Sequence, residues 1–205
     1  MSTKWTVVDL FSGVGGMSYG FHVHPKFRIA GAVDAQIGKP SSNRGTLKCN
    51  AGYKDNIGVE PIDDDLSVLQ PGDLRRVLDS NIGSVGLDIL ISCAPCTGFS
   101  RTLPANHLVD DPRNLLIRRS VLFVEEFRPS IFLMENAREL IVGNFSHHYE
   151  YLRDELTRLG YRVFGKVHLL TRFGLPQRRE RSVIIAVHGD LELRTHYTCL
   201  LPSCM

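Results

Sequence analysis

Short apolar runs alternate with amphipathic helical patterns along this sequence, and that alternation constrains its fold more than any other feature. The apolar runs are rich in Val, Ile, Leu and Phe and are bounded by Gly, Pro or Asp, which is typical of strands buried on both faces. Helical spacing of apolar residues is clearest at 113–127 and at 149–159, where Gly160 marks a helix end. The predicted strands are 5–11, 29–33, 87–92, 130–134, 162–169 and 182–187.

This alternation predicts an α/β fold with a doubly wound, mostly parallel sheet. We assign residues 1–186 to one such domain and leave 187–205 as a C-terminal tail without an assigned role, because the periodic pattern is lost there. The polar stretch at 38–58 is expected to be an irregular loop. In doubly wound sheets ligands bind beyond the carboxyl ends of the strands, so the residues that follow each strand are the candidate site.

Composition excludes several classes of protein. With 205 residues, 43% of them hydrophobic, the chain can bury a sizeable core. No apolar run approaches the roughly 20 residues of a spanning helix, and the N-terminus lacks the pattern of a secretory signal, so we expect a cytoplasmic protein. Five cysteines, an odd number, argue against a disulfide framework. Basic side chains outnumber acidic ones only in residues 101–205, which permits an anionic partner for that half.

A glycine-rich turn follows the first predicted strand. Residues 9–16 are Asp-Leu-Phe-Ser-Gly-Val-Gly-Gly, and glycines here let the backbone turn tightly and approach a nucleotide-like cofactor. The next strand ends at Asp34, where a carboxylate can accept hydrogen bonds from ribose hydroxyls. Asp65 and Leu66, in an acidic run, could hold an adenine edge. Each feature also has an ordinary explanation: a packing turn, an exposed turn aspartate and a solvated acidic loop.

A thiol follows the third predicted strand. The segment Cys93-Ala94-Pro95-Cys96 places Cys96 at the mouth of the sheet, directly after a proline. Three alternatives remain open at this point: a redox pair with Cys93, two ligands of a zinc site, or a buried structural cysteine. The zinc interpretation is weakened because the sequence has no second Cys-x-x-Cys pair.

An acid and an arginine pair follow the later strands. Glu135 comes after the apolar run 130–134, where partial desolvation would raise its pKa and let it carry a proton near neutrality. Arg179 and Arg181 lead into the last strand and point to one side if that segment is extended, so they could hold an anion or a carbonyl oxygen. The ordinary alternatives are a carboxylate at a helix start and a solvated basic strand end.

Together and in this order, these segments resemble the DNA (cytosine-5) methyltransferase family. The resemblance covers residues 7 to about 186. It is carried by the glycine turn at 9–16, Pro95 and Cys96 with Phe99 and Ser100, Glu135 with Asn136, the Gln-x-Arg-x-Arg motif of Gln177, Arg179 and Arg181, and the segment Asp110-Asp111-Pro112-Arg113-Asn114-Leu115.

The resemblance implies a Rossmann-like domain that uses S-adenosylmethionine in DNA methylation of the restriction-modification kind. It implies that Cys96 adds to position 6 of cytosine, that Glu135 protonates or hydrogen-bonds ring nitrogen 3, and that Arg181 holds the carbonyl oxygen at position 2, with Arg179 beside it. The cytosine would be flipped out of double-stranded DNA. The implied cofactor residues are Phe11 against adenine, Ser12, Gly13, Gly15 and Gly16 near the methionine part, Asp34 at the ribose, Asp65 and Leu66 beside the base, and Pro95 next to the nucleophile.

The sequence also departs from the family pattern. Asp34 stands where the family usually has Glu, and Thr97 where it frequently has Gln. Nothing after Ala186 resembles the target-recognition region or the two closing motifs, so we expect a companion chain or a truncated product. The competing interpretations are an inactive or regulatory homologue, a transfer RNA cytosine-5 methyltransferase, and a nicotinamide-dependent oxidoreductase. The last is weak because the glycine spacing is not Gly-x-Gly-x-x-Gly.

Overall fold

The computed structural model describes residues 4–37, 48–84, 86–95, 110, 112–189 and 191. Strands and helices alternate along these residues. The strands are β1 (Trp5–Leu10), β2 (Phe27–Val33), β3 (Ile89–Ser92), β4 (Ile131–Ala137), β5 (Tyr161–Leu169) and β6 (Glu180–His188). The helices are α1 (Ser18–His22), α2 (Cys49–Ile57), α3 (Pro71–Ile82), α4 (Leu115–Phe127), α5 (Glu139–Val142) and α6 (His147–Arg158), with short 3₁₀ helices at Pro112–Asn114 and Leu170–Phe173.

The strands form one mixed sheet in the order β2-β1-β3-β4-β6-β5. β1 to β4 are parallel, whereas β6 runs antiparallel to both β4 and β5. Helices cover both faces, since α2 contributes to one apolar cluster and α3, α4 and α6 to the other. The predicted α/β, doubly wound and mostly parallel sheet is therefore confirmed. It brings the carboxyl ends of β1 to β4 to one edge, beside the start of β6.

Helix α4 shows how the sequence builds the layer that supports this edge. Ile117, Val121 and Val124 are buried and recur at helical spacing, which gives α4 an apolar face. Leu152 and Leu156 of α6 join the same apolar cluster. Burying a side chain of this kind stabilises the fold by about 2 kcal/mol. α4 and α6 therefore hold β3 and β4, whose carboxyl ends carry candidate site residues.

Part of the stretch predicted as an irregular loop is helical. α2 occupies Cys49–Ile57 and ends at Gly58, which has a left-handed φ of 79°. Asn50, Tyr53 and Ile57 are its buried side chains, and because Asn50 is polar the apolar periodicity is weak in the sequence. The loop prediction is therefore wrong for residues 49–57. Residues 38–47 lie outside the described part of the chain.

Strands β4 and β6 are longer than the sequence predicts. β4 reaches Ala137 because Glu135 and Asn136 pair with Val183 and Ser182 of β6. Glu135 therefore lies inside a strand rather than after one. β6 continues to His188, past the predicted domain boundary at residue 186. Within the described residues, no helix combines the length and the apolar character needed to cross a membrane.

Candidate active site

The glycine turn and Asp34 form one hydrogen-bonded unit at the carboxyl edge of the sheet. The backbone N–H of Gly13 donates to Asp34 Oδ2 at 2.9 Å, and the backbone N–H of Ser12 donates to the Val33 carbonyl at 3.1 Å. Gly13 and Gly15 have φ values of 53° and 89°, a region that favours glycine. The structure thus brings together two segments that the sequence assigns to a cofactor site.

Phe11, which precedes this turn, has a strained backbone. Its φ of 59° lies in the left-handed region, which is rare for an aromatic residue. Its ring is half-buried and packs against the larger apolar cluster. Strain of this kind costs about 1–3 kcal/mol and is concentrated at functional sites. The partly exposed ring at the end of β1 is suited to stacking against a flat ligand.

Three buried polar atoms at or near the turn lack a hydrogen-bond partner among the described residues. These atoms are Asp9 Oδ1, Ser12 Oγ and Asn50 Oδ1. Asn50 lies close to Asp34, because its Nδ2 donates to the Asp34 carbonyl at 3.2 Å. Buried polar groups without partners are rare and call for an explanation such as a missing polar ligand. A nucleoside, with its hydroxyl and amino groups, fits such a cradle.

Asp9 lies beneath the turn and is fully buried. Its Oδ2 accepts a hydrogen bond of 2.5 Å from Ser18 Oγ, and the Tyr53 hydroxyl donates to Ser18 Oγ at 2.8 Å. Burial raises the pKa of Asp9 to about 7; the hydrogen bond from Ser18 opposes this shift and the charge of Asp34 adds to it. The carboxyl under the glycine turn therefore titrates near neutrality.

Residues 65–69 form a turn beyond the end of β2. The turn follows Ile62, which bridges to Val33. Asp65 Oδ1 accepts from the backbone N–H of Ser67 at 2.8 Å. Leu66 as a whole residue is only 2% exposed and its side chain packs in the larger apolar cluster, which excludes a ligand contact by that side chain. The contact with the base that the sequence analysis proposed for Leu66 would therefore have to be made by its main-chain atoms.

Gln36 joins these segments, and the sequence analysis missed it. Its φ of 54° is left-handed, and its backbone N–H donates to Asp34 Oδ1 at 2.7 Å. Its side chain donates to Asp63 Oδ2 at 2.9 Å and accepts from the Asn50 N–H at 3.2 Å. Glutamine is not a residue that usually adopts this backbone, so no local pattern could have identified it. Gln36 thereby fixes the surroundings of Asp34.

Glu135 and Arg181 meet at the neighbouring part of the edge. Arg181 Nε lies 2.7 Å from Glu135 Oε1, and both side chains are partly shielded from water. Burial raises the pKa of Glu135, although the charges of Arg181 and Arg179 oppose the shift. Arg179 is exposed and precedes β6. An acid that holds a proton more strongly than usual is thus placed beside a fixed cation.

The segment that leads to Cys96 is anchored on two sides. The Cys93 N–H donates to the Leu10 carbonyl at 3.2 Å, which ties the segment to the end of β1. On the other side, the buried Asn136 donates from Nδ2 to the Ala94 carbonyl at 3.0 Å. Asn136 is the immediate neighbour of Glu135, and Pro95 beside Ala94 is half-buried. Cys96, Thr97 and the rest of residues 96–109 lie outside the described part of the chain.

A second cluster, formed by Asp110, His147 and His148, is close enough to be considered for a metal ion. Asp110 Oδ2 lies 3.0 Å from His148 Nε2 and 3.3 Å from His147 Nε2. Arg118 Nε, however, donates to His148 Nδ1 at 3.3 Å, which leaves the proton of the neutral ring on Nε2. A metal would need that nitrogen without its proton. We interpret the cluster as a hydrogen-bonded anchor and assign no metal to it.

The sheet and the cradle formed by the glycine turn and Asp34 define a Rossmann-like domain of the kind that binds a nucleotide-like cofactor at the carboxyl ends of its strands. A family model, the C-5 cytosine-specific DNA methylase, matches residues 5–201. The chain therefore belongs to the C-5 cytosine-specific DNA methylase family. S-adenosylmethionine is the cofactor of this family, and the glycine turn, the Asp34 carboxylate and the unpartnered buried polar atoms fit its adenosine part.

Curated relatives and solved structures agree with this assignment. The chain is 30% identical over 190 residues to the Type II methyltransferase M.BsuFI of Bacillus subtilis, covering 92% of this chain and 40% of the relative. It is 32% identical over 193 residues to M.XorII of Xanthomonas oryzae, covering 91% and 41%. The structure of the S. pombe Dnmt2 methyltransferase shares the fold, with a TM-score of 0.66 at 22% identity over 93% of this chain and 53% of that one. The chain thus spans about 40% of the length of these curated relatives.

Proposed function

We propose that this chain carries the cofactor-binding and catalytic residues of a DNA cytosine-5 methyltransferase, which transfers a methyl group to carbon 5 of cytosine. One observation carries the proposal: the segment that leads to Cys96 is fixed between the end of β1, where the glycine turn begins, and the strand that bears Glu135. Cys96 at the end of this segment would lie close to a cytosine held by Glu135. The same cytosine would lie beside the cofactor bound at the glycine turn.

Cys96 would act as the nucleophile. Carbon 5 of cytosine is a poor nucleophile, so the thiolate first adds its electron pair to carbon 6 and makes carbon 5 electron-rich. S-adenosylmethionine, when bound, supplies an electrophilic methyl group on a sulfonium. After transfer, the carbon 5 proton leaves as a base removes it, the ring double bond re-forms and the bond from carbon 6 to sulfur breaks. Cys96 is then regenerated as a thiolate.

Glu135 and Arg181 would stabilise the ring during addition. Negative charge moves toward ring nitrogen 3 and the carbonyl oxygen at position 2 as the thiolate adds. Glu135, whose pKa is raised by burial, can donate a proton or a hydrogen bond to nitrogen 3. Arg181 can hold the carbonyl oxygen, and it is already fixed in place by its ion pair with Glu135.

The DNA substrate would be bound mainly through phosphates by this part of the enzyme. Arg172, Arg178 and Arg179 are exposed on the segment between β5 and β6. Exposed arginines of this kind contact phosphates and carry no direct sequence information. Because the target atom is inaccessible in a duplex, the cytosine must be flipped into the site.

A second polypeptide segment, carrying target recognition, would complete the enzyme. Large apolar side chains are exposed near the catalytic edge, including Phe173 at 55% and Val14 at 53%. Exposed apolar surface beside a site favours coverage by a partner. We therefore propose that a companion chain or segment covers this surface and supplies sequence recognition.

The test is a methyl-transfer assay on mixed duplex DNA and, in parallel, on transfer RNA. The chain is supplied with labelled S-adenosylmethionine, with and without cell extract as a source of the companion. Transfer to the DNA with extract supports the proposal, and transfer to transfer RNA alone would contradict it in favour of the RNA alternative. Absence of S-adenosylmethionine binding in a calorimetric titration would instead indicate an inactive homologue.

A further inference from the structure

Arg119 fixes the turn that presents the proposed adenine-binding groups. Its side chain leaves α4 and donates from Nε to the Leu66 carbonyl at 3.0 Å and from Nη2 to the Leu69 carbonyl at 2.6 Å. The guanidinium carbon also lies 5.8 Å from the centre of the Phe123 ring. Because the guanidinium is planar and rigid, two hydrogen bonds from it hold both partners in one orientation.

The main-chain N–H groups of residues 65–69 are all hydrogen-bonded, with one exception in the described part of the chain. The Asp65 carbonyl accepts from the N–H groups of Val68 and Leu69, and Asp65 Oδ1 accepts from the Ser67 N–H. The Leu66 N–H has no partner among the described residues. It lies next to the Asp65 carboxylate. An N–H donor beside a carboxylate acceptor complements adenine, whose N1 accepts and whose 6-amino group donates.

We propose that Arg119 is a positioning residue for adenine recognition. By holding the Leu66 and Leu69 carbonyls, it keeps the Leu66 N–H and the Asp65 carboxylate aimed at one base edge. The inference rests on the proposed function and deepens it, because it explains how this site distinguishes adenosine from other nucleosides. The 53 residues that separate Arg119 from Leu66 explain why no local sequence pattern indicates this role.

The test compares two ligands that differ only at this edge. S-adenosylhomocysteine carries adenine, whereas S-inosylhomocysteine carries hypoxanthine, in which N1 donates and the group at position 6 accepts. Calorimetry gives the dissociation constant of each ligand for the purified chain. Wild type is expected to prefer the adenine ligand by about 100-fold, since two hydrogen bonds become mismatched.

Arg119→Met should weaken binding of S-adenosylhomocysteine by about tenfold and leave the weak binding of the inosine ligand nearly unchanged, so that the preference shrinks. Arg75→Met is the matched control, because Arg75 also donates to a main-chain carbonyl, that of Glu126 at 2.7 Å, and lies 5.8 Å from the Phe127 ring. It is expected to keep the wild-type preference.

Other outcomes separate the two proposals. If wild type binds neither ligand, the proposed function fails. If wild type binds S-adenosylhomocysteine but Arg119→Met keeps the full preference for the adenine ligand, Arg119 has only a structural role and this inference is overturned. The same conclusion follows if Arg119→Met weakens the binding of both ligands equally. If Arg119→Met does not fold, Arg119→Lys is used instead, because lysine keeps the charge but lacks the planar guanidinium that donates to two carbonyls. An unchanged preference for the adenine ligand in Arg119→Lys would also overturn the inference.

Discussion

Glu135 and Arg181 form a diagonal pair across two antiparallel strands. Arg181 lies opposite Ala137 in the register of β4 and β6, and Glu135 lies opposite Val183, yet Glu135 Oε1 and Arg181 Nε are 2.7 Å apart. Their side chains are 36% and 17% exposed, so water screens the pair less than it screens a surface ion pair. The strand register therefore places an acid and a cation on one face, where a cytosine ring can contact both.

Glu135→Gln should lower the rate of methyl transfer by at least about 100-fold, the lower range for removing a positioned proton donor. Burial raises the pKa of Glu135, so the protonated form persists to a higher pH than for an ordinary glutamate. The wild-type rate should accordingly fall as pH rises through that pKa, and the variant should lack this fall. Single-turnover rates across neutral pH provide the measurement. Equal rates for the two proteins would make Glu135 a structural residue.

Asp9→Asn should remove the part of the pH dependence of the free energy of unfolding that is due to the Asp9 carboxyl group. The pKa of Asp9 is about 7 in the folded chain against an ordinary value of 3.8, so folding takes up a proton when the pH lies between these values. Wild-type stability relative to the variant is therefore greatest below about pH 4 and decreases until about pH 7, by up to about 4 kcal/mol. Urea unfolding of both proteins at pH 4, 5.5 and 7.5 measures the difference. A constant difference would show that folding does not raise the pKa of Asp9.

The strands could be predicted because an apolar run is a local sequence pattern. The proximity of the glycine turn to Asp34 then followed from the order of the strands. An apolar run such as that of β3 predicts a buried strand, and the edge rule for parallel sheets places the residues that follow β1 and β2 together. The sequence predicts Glu135 after a strand rather than within one, because the antiparallel pairing with β6 that extends β4 is a long-range contact. The weakly patterned α2 was missed for a similar reason, since Tyr53 and Ile57 gain their burial from tertiary packing.

Gln36→Met should weaken binding of S-adenosylmethionine by about tenfold, because it removes two side-chain hydrogen bonds that hold the surroundings of Asp34. The substitution preserves the size of the side chain. Thr157→Val is the control, since Thr157 is an exposed residue of α6 whose hydroxyl donates to the Arg153 carbonyl at 2.7 Å, outside the candidate cofactor site. Calorimetric titration of the cofactor measures both. Equal affinities of the two variants for S-adenosylmethionine would show that Gln36 does not contribute to the cofactor site.

The isolated chain should bind duplex DNA weakly, with strong salt sensitivity and little sequence preference. The physical reason is that the exposed arginines Arg172, Arg178 and Arg179 are proposed to contact phosphates rather than base edges. Because a companion is proposed to cover the exposed apolar surface and to supply recognition, transfer by this chain alone should be slight, and addition of such a companion should increase it. Fluorescence anisotropy at several salt concentrations, together with transfer assays, measures these properties. Robust sequence-specific methylation by the 205-residue chain alone would contradict the prediction.

Cys96→Ala should abolish transfer and leave cofactor binding nearly intact, because the thiol attacks the base rather than the adenosine part. Cys93→Ala is the matched control. Cys93 Sγ lies 3.0 Å from Met17 Sδ in a partly buried position. The control should therefore retain most of the activity. If the two substitutions had equal effects, Cys96 would lose its assigned role.

The central claim, that this chain methylates cytosine through a covalent bond to Cys96, is tested most directly by trapping that bond. Duplex DNA carrying 5-fluorocytosine, which cannot lose its position 5 substituent, is incubated with the chain and S-adenosylmethionine under conditions that support transfer. The adduct is measured by denaturing gel and mass spectrometry. We predict a denaturant-stable complex of wild type and of Cys93→Ala, with the DNA attached at Cys96, and none with Cys96→Ala. Transfer to normal DNA without any trapped complex, or a complex that persists in Cys96→Ala, would contradict the account.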